Sequence, residues 1–214
     1  MSRSSYDEQL DRLTGALATM SREAVTAIRG AGRALLDVDR DAAEAVIRDD
    51  VTLDELRRDV EATIPELLVR QQPVASDLRL VLCAIRISGD LERMGDLAVH
   101  IAKIVLMRHP VTVVPPPATA VLTGMAEAAA RIAEKVSVVL ATRDPLDAMQ
   151  LGLDDDEVDT AQARLLSQLV SGWPYGVENA IDLALVSRYY ERYADHAVNV
   201  ARQVVYLVTG TIRL

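Results

Sequence analysis

Four pairs of acidic residues repeat one spacing along the chain: Asp50 with Asp54, Glu92 with Asp96, Asp155 with Asp159, and Glu191 with Asp195. On a helix, residues four apart stand about 6 Å from each other on one face, so each pair aims two carboxylates the same way. Held that close they repel, and burial adds to the cost unless cations neutralise them or their pKa values rise. Oxygen donors suit hard cations such as magnesium, calcium, manganese or iron; without thiolates or an imidazole inside the pairs, zinc is less expected. The Glu-x-x-His spacing of carboxylate-bridged di-iron bundles is absent, which argues against a redox oxygenase. The competing reading is ordinary salt bridging, because Arg48, Arg57, Arg58, Arg93 and Arg192 lie within reach of the same carboxylates.

Three further observations bear on how the pairs are positioned. At 100° per residue, Val81, Ile85, Ser88, Val99 and Lys103 fall within about 40° of Glu92, so the pair interrupts a largely apolar stripe. Glu191 and Asp195 do the same in line with Ala180, Ala184, Ser187, Val198 and Arg202. Laid on each other with an offset of 99, the segments 88–105 and 187–204 share eight identities in eighteen positions, among them Ser, Glu, Arg and Asp. The two remaining pairs are related by an offset of 105, so the chain reads as a duplication. Where the middle and last helices of a bundle are antiparallel neighbours, a D-x-x-x-D pair faces an E-x-x-x-D pair and four carboxylates share a patch.

The elements that must carry these pairs are helices, because apolar residues recur at three- and four-residue spacing and hardly alternate. The stretches run Tyr6 to Leu36, Asp41 to Arg70, Ser76 to Met107, Ala118 to Ala141, Pro145 to Val170 and Val177 to Thr209. Asp37-Val-Asp-Arg-Asp supplies a turn and an N-cap, and Pro65 is expected to kink or break the second stretch. Four of the eight prolines fall between Arg108 and Thr119. That segment reads as a stiff non-helical linker. The expected organisation is therefore all-α: a first three-helix bundle at 1–109, a Pro-rich linker at 110–119 and a second three-helix bundle at 120–214.

Composition narrows the function classes. Half of the 214 residues are hydrophobic, Phe is absent, and 32 acids against 23 bases leave a net charge of −9. Disorder is excluded, and a phosphate-backbone nucleic-acid binder is disfavoured because that work needs a basic surface. One cysteine, Cys83, allows neither an internal disulfide nor a thiolate cluster. No run approaches a membrane span and the N-terminus has no apolar leader, so a cytoplasmic protein is expected. Arg79, Arg86 and Arg93 recur every seven residues, either as a solvated stripe or as a basic strip that docks on an acidic partner. The last helix is apolar most of the way round from Val198 to Val208, which implies burial between helices or a homodimer interface. His100, His109 and His196 are read as structural or solvated, and Trp173 as a plug over the bundle end.

The segment Arg70-Gln-Gln-Pro-Val-Ala-Ser-Asp-Leu-Arg-Leu80, followed by Asp90-Leu-Glu-Arg-Met-Gly-Asp96, resembles the signature of the PhoU family of phosphate-signalling proteins. Tyr190-Glu-Arg-Tyr-Ala-Asp-His196 is similar to that family's second copy, and the resemblance runs from the first helix to about Gly210. It implies two homologous three-helix bundles whose E(D)-x-x-x-D motifs hold multinuclear iron or zinc clusters in some members. The positions carried over are Asp50, Asp54, Glu92 and Asp96 for one site and Asp155, Asp159, Glu191 and Asp195 for the other. It also implies a non-enzymatic, cytoplasmic negative regulator of phosphate uptake and of the phosphate regulon. Its implied partners are the ATPase subunit of the phosphate ABC transporter and a membrane sensor histidine kinase, met at the inner membrane face.

The second copy departs from the pattern: it lacks the QQPxASDLR element, and it has Ala194 where the first has Gly95 and Asn199 where the first has His100. A second site poorer in metal than the first is the expectation. Two other classes stay open, a metal-free helical scaffold or chaperone-like module and a carboxylate-metal hydrolase. The hydrolase lacks any G-x-x-x-x-G-K-S/T phosphate loop.

Overall fold

The computed structural model describes residues 3–211, with side chains at 6–69, 72–151 and 155–211. Among these residues there is no strand, and seven helices follow in order: α1 Arg3–Asp37, α2 Arg40–Asp49, α3 Val51–Gln71, α4 Ala75–Arg108, α5 Pro116–Thr142, α6 Pro145–Val170 and α7 Gly176–Thr209. The fold is all-α, two repeats of a three-helix unit in which α2 and α3 together fill the place that α6 fills in the second repeat.

Local chemistry sets the ends. Asp39 caps α2 by accepting from the Ala42 amide at 2.9 Å, and Asp144 caps α6 by accepting from the Leu146 amide at 2.7 Å. Gly210 stops α7 in the left-handed region, its amide donating to the Tyr206 carbonyl at 2.8 Å. Proline interrupts the helices less than expected. Pro65 sits exposed inside α3 without ending it, and the middle stretch is interrupted instead at Asp50. Pro116 and Pro117, expected in a non-helical linker, open the first turn of α5, where a missing N–H costs nothing. Of the QQPxASDLR segment and the residue before it, the side chains of Gln71 and Arg70 lie outside the described residues.

One apolar cluster runs through all seven helices, so the two repeats share a core. Within each repeat the helices pack on one another, and between repeats α4 packs on α7 and α1 on α5. The α4–α7 pair is antiparallel: Cys83 Sγ reaches the Gln203 carbonyl, Asp90 meets His196, and Arg108 near the end of α4 grips Asp182 near the start of α7. That register lays the E-x-x-x-D segment of α4 alongside the matching segment of α7. The apolar circumference of α7 is used inside the chain, since Val198, Val200, Ala201, Val204 and Val205 are buried. Trp173 does close the bundle end: its Nε1 donates to Asn179 Oδ1, and Asn179 Nδ2 donates to the Val113 carbonyl of the α4–α5 connection.

With no Phe to fill space, the helices approach closely, and glycine is required at some crossings. A Cβ at Gly30 would lie 2.7 Å from Val46 Cγ2, whereas one at Gly15 would meet nothing within 4 Å. Gly15→Ala should therefore stabilise the protein by about 0.5–1 kcal/mol through helix propensity, and Gly30→Ala should destabilise it by about 1–2 kcal/mol through overpacking against a stiff β-branched neighbour. Urea denaturation of the two variants checks the opposite signs.

Candidate carboxylate clusters on the last helix of each repeat

Asp50 is the single residue between α2 and α3, and its carbonyl accepts from both Leu53 N and Asp54 N. Its side chain does not cap the helix but turns towards α4, where Oδ1 would lie 2.9 Å from a Cβ built at Gly95. Gly95 is buried, and Leu53 Cδ1 would stand 2.5 Å from the same Cβ, so the absence of a side chain there lets the α2–α3 junction approach α4. The second repeat has a buried Ala194 at that point, and Asp155 sits within the continuous helix α6.

The expected groups of four do come together. Burial, then Asp96, Asp54 and Glu92, push the Asp50 carboxyl up to about 6, with Lys103 opposing them. Burial, then Asp159, Asp195 and Glu191, push Asp155 up to about 6 as well. Glu191 is raised by burial and by Asp195, against the opposing charge of Arg188. Each repeat thus holds one patch of mutually repelling carboxylates, all half-buried except the exposed Asp159. The apolar stripe reading holds in part: Val81, Ser88 and Val99 are buried and the side chains of Glu92 and Glu191 are only 14% and 12% exposed, but Ile85 and Lys103 are exposed.

The two patches differ in how they are neutralised. In the first, Arg57 Nη1 lies 2.9 Å from Glu92 Oε2, an ion pair without hydrogen-bond alignment, and Arg93 Nη1 donates to Asp96 Oδ2 at 2.9 Å. In the second, Arg188 reaches Glu191 Oε1 at 2.5 Å, while Glu191 Oε2 and Asp155 Oδ1 are buried without a hydrogen-bond partner. Arg48 pairs with its neighbour Asp49 and takes no part. Among the described residues, no three His, Cys, Asp or Glu side chains stand in an arrangement that could hold a metal ion as they are placed.

The imidazoles and arginines sort as follows. His100 stacks on Tyr189 at 5.2 Å and stays outside the first patch. His196 Nδ1 lies 2.8 Å from Asp90, an α7–α4 contact that spacing did not suggest, because Asp90 aligns with Tyr189 in the duplication and so carried no repeat signal. His196 also lines a cavity of about 240 Å³ with Asp155, Asp195 and Asn199. Arg79 is half-buried and donates to the Leu207 carbonyl at 3.4 Å, while Arg86 and Arg93 are exposed and line a second cavity.

The family model described as the PhoU domain matches the chain twice, at residues 17–105 and 122–204. The chain belongs to the PhoU family. It is 41% identical over 211 residues to the phosphate-specific transport system accessory protein PhoU homolog 1 of Mycobacterium tuberculosis, covering 98% of this chain and 96% of that protein. The corresponding PhoU homolog of Rhizobium meliloti is 32% identical, with 97% and 88% covered. Among solved structures, PhoU from Pseudomonas aeruginosa superposes with a TM-score of 0.90 at 26% identity, over 96% of this chain and all (100%) of that one. The phosphate transport system regulatory protein PhoU from Streptococcus pneumoniae shares the fold, with a TM-score of 0.86 at 24% identity over 98% and 99% of the two chains.

The raised carboxyls predict a pH dependence for this PhoU-family chain in chelator. A group protonated more tightly in the folded than in the unfolded state lends stability that is present below the ordinary carboxylate pKa of about 4. That stability is lost as pH rises through the folded value of about 6. Asp50→Asn and Asp155→Asn should each raise the melting temperature at neutral pH, with the gain shrinking to nothing near pH 4. Scanning fluorimetry across pH in EDTA measures it.

Proposed function

We propose that this chain is an accessory regulator of phosphate transport: a negative regulator of phosphate uptake and phosphate-regulon signalling that works by protein contact. The observation that carries the reading is the full-length match to relatives named as accessory proteins of the phosphate-specific transport system. Its partners in this reading are the ATPase subunit of a phosphate ABC transporter and a sensor histidine kinase, met at the cytoplasmic membrane face. No described helix is long and apolar enough to cross a membrane, which suits attachment through partners. No enzymatic step belongs to the reading. Self-association into a homodimer belongs to it, and the apolar surface left for a second copy is the exposed ridge Val177, Ile181 and Leu185 on α7. Deletion of the gene should leave a phosphate-regulon reporter active in phosphate-rich medium, with repression restored by the wild-type chain; a reporter that stays silent without the protein overturns it.

The carboxylate patches are proposed as cation sites. Their donors are all oxygen, which suits iron, manganese or magnesium and also accommodates zinc. The buried orphan oxygens of Asp155 and Glu191 are what a cation would satisfy, and a bound cation would supply the positive charge that offsets the repulsion. Asp155, Asp159, Glu191 and Asp195 would hold it in the second repeat, and Asp50, Asp54, Glu92 and Asp96 in the first. Arg57 and Arg93 already partner Glu92 and Asp96, which favours the salt-bridged, metal-free reading at the first patch. On this reading the second patch, with one arginine against Glu191 and two orphan oxygens where the first has one, binds the cation more tightly, the reverse of the order expected from sequence. Metal analysis of protein purified without tag or chelator should show metal that Glu191→Gln/Asp195→Asn removes and that Glu92→Gln/Asp96→Asn reduces less; a metal-free wild type would leave the scaffold reading in possession of both patches.

A further inference from the structure

The arginines of the first patch have a second side. Arg57 from α3, Arg86, Gly89 and Arg93 from α4, and Asn199 and Gln203 from α7 line a cavity of about 420 Å³ that opens to solvent between the two repeats. We propose that this cavity is a binding site for a small oxyanion of the phosphate class, held by three guanidiniums and two side-chain amides. The proposal goes beyond the regulator reading and does not depend on it.

Three guanidiniums from two helices converging on one space is the arrangement that recognises a tetrahedral oxyanion, because each planar fork offers paired N–H donors and a charge that is never lost. Their commitments leave donors over. Arg57 gives Nε to Glu61 Oε1 at 3.0 Å and Nη1 to the ion pair with Glu92, and Arg93 gives Nη1 to Asp96 and sets Nε 3.7 Å from Glu92 Oε2. Arg86 gives only Nη1, in a long 3.5 Å contact with Gln203 Oε1. A guanidinium carries five N–H groups, so each retains some that face no protein acceptor in these bonds. The one carboxylate lining the cavity, Asp90, is engaged by His196 Nδ1 at 2.8 Å. Gly89 leaves the floor open, since a Cβ there would meet nothing within 4 Å.

The duplication supplies an internal control. At the same offsets, the counterparts of Arg57, Arg86 and Gly89 are Gln162, Leu185 and Arg188, and those of Asp90, Asn199 and Gln203 are Tyr189, His100 and Ile104. In the second repeat the equivalent space is taken by the stacked rings of His100 and Tyr189 and by Arg188, which is committed to Glu191. Only Arg93 keeps its type, as Arg192. The three-arginine cavity therefore belongs to one repeat and does not follow from the ancestral bundle. An anion there competes with Glu92 and Asp96 for Arg57 and Arg93, which ties its occupancy to the first carboxylate patch.

The chemistry is common to free phosphate and to the phosphoryl group of a nucleotide, so both are probes. Isothermal titration of the full chain with inorganic phosphate and, separately, with AMP, at fixed ionic strength in a phosphate-free buffer, should show binding of at least one. Arg86→Gln should weaken it about ten-fold, the loss of one charge-assisted contact. Gly89→Asp, which places a carboxylate on the floor without touching a neighbour, should abolish it, and Arg22→Gln on the far helix α1 should leave it unchanged. Circular dichroism melts establish that each variant is folded. Phosphate alone binding marks a free-anion site, and AMP alone a nucleotide site; either supports the proposal. No binding of either probe up to about 10 mM, or binding that Arg86→Gln and Gly89→Asp leave intact, overturns it.

Discussion

The antiparallel packing of α4 on α7 is the constraint from which the rest follows. Both helices are buried by small aliphatic residues over most of their length, Ala84, Ala98 and Ala102 on one and Ala194, Ala197 and Ala201 on the other, so their axes approach closely and their register is fixed. Arg108 against Asp182 at one end and Asp90 against His196 in the middle agree with that register. Because each helix carries Glu and Asp at the same level, the packing that buries the alanines also sets two pairs of carboxylates beside the inter-repeat seam. Helices α3 and α6 then bring the second pair to each. Repulsion between them is a consequence of a well-packed core, and it persists because the aliphatic packing outweighs it.

Duplication gave both repeats the same acids, and later substitutions gave them different neighbours. Gly95 lets Asp50 and Leu53 close on α4, which brings Arg57 one turn beyond within reach of Glu92. Ala194 holds the second repeat without that approach, and position 162 carries Gln, which cannot supply a charge. The first patch has Arg57 and Arg93 against Glu92 and Asp96 and one orphan oxygen, on Glu92; the second has Arg188 against Glu191 and two orphan oxygens, on Asp155 and Glu191. Two patches of one pattern thus differ in the arginines set against their acids, Arg57 and Arg93 in the first and Arg188 in the second.

The helical content, the duplication and the grouping of four carboxylates per repeat were legible because each leaves a periodic trace: 3.6-residue apolar spacing, a constant offset, and pairs four apart. What escaped are features with no period. Pro65 was expected to kink or break the second stretch, yet α3 continues through it with Pro65 on the exposed side, while the interruption falls at Asp50, which is neither proline nor glycine. The Asp90–His196 pair crosses from one repeat to the other between positions that do not correspond, so no comparison of the halves reveals it. Which arginine pairs with which acid depends on rotamers and on a glycine's missing Cβ, and spacing fixes neither. The apolar run from Val198 to Val205 on α7 is accounted for inside the chain, because a helix flanked by α4, α5 and α6 needs apolar residues on several sides.

The seam between the repeats gathers carboxylates and guanidiniums side by side. The charge displayed beside α4 and α7 would vary with anything that occupied the patches. A cation among Asp155, Asp159, Glu191 and Asp195 removes negative charge from one side of the seam, and an oxyanion among Arg57, Arg86 and Arg93 removes positive charge from the other. In a chain of net charge −9, each changes the local field that a partner meets much more than it changes the total. A partner that docks across the seam would therefore read cation and anion together, and its affinity would shift by the difference in interaction between the occupied and empty surfaces, with the backbone left in place.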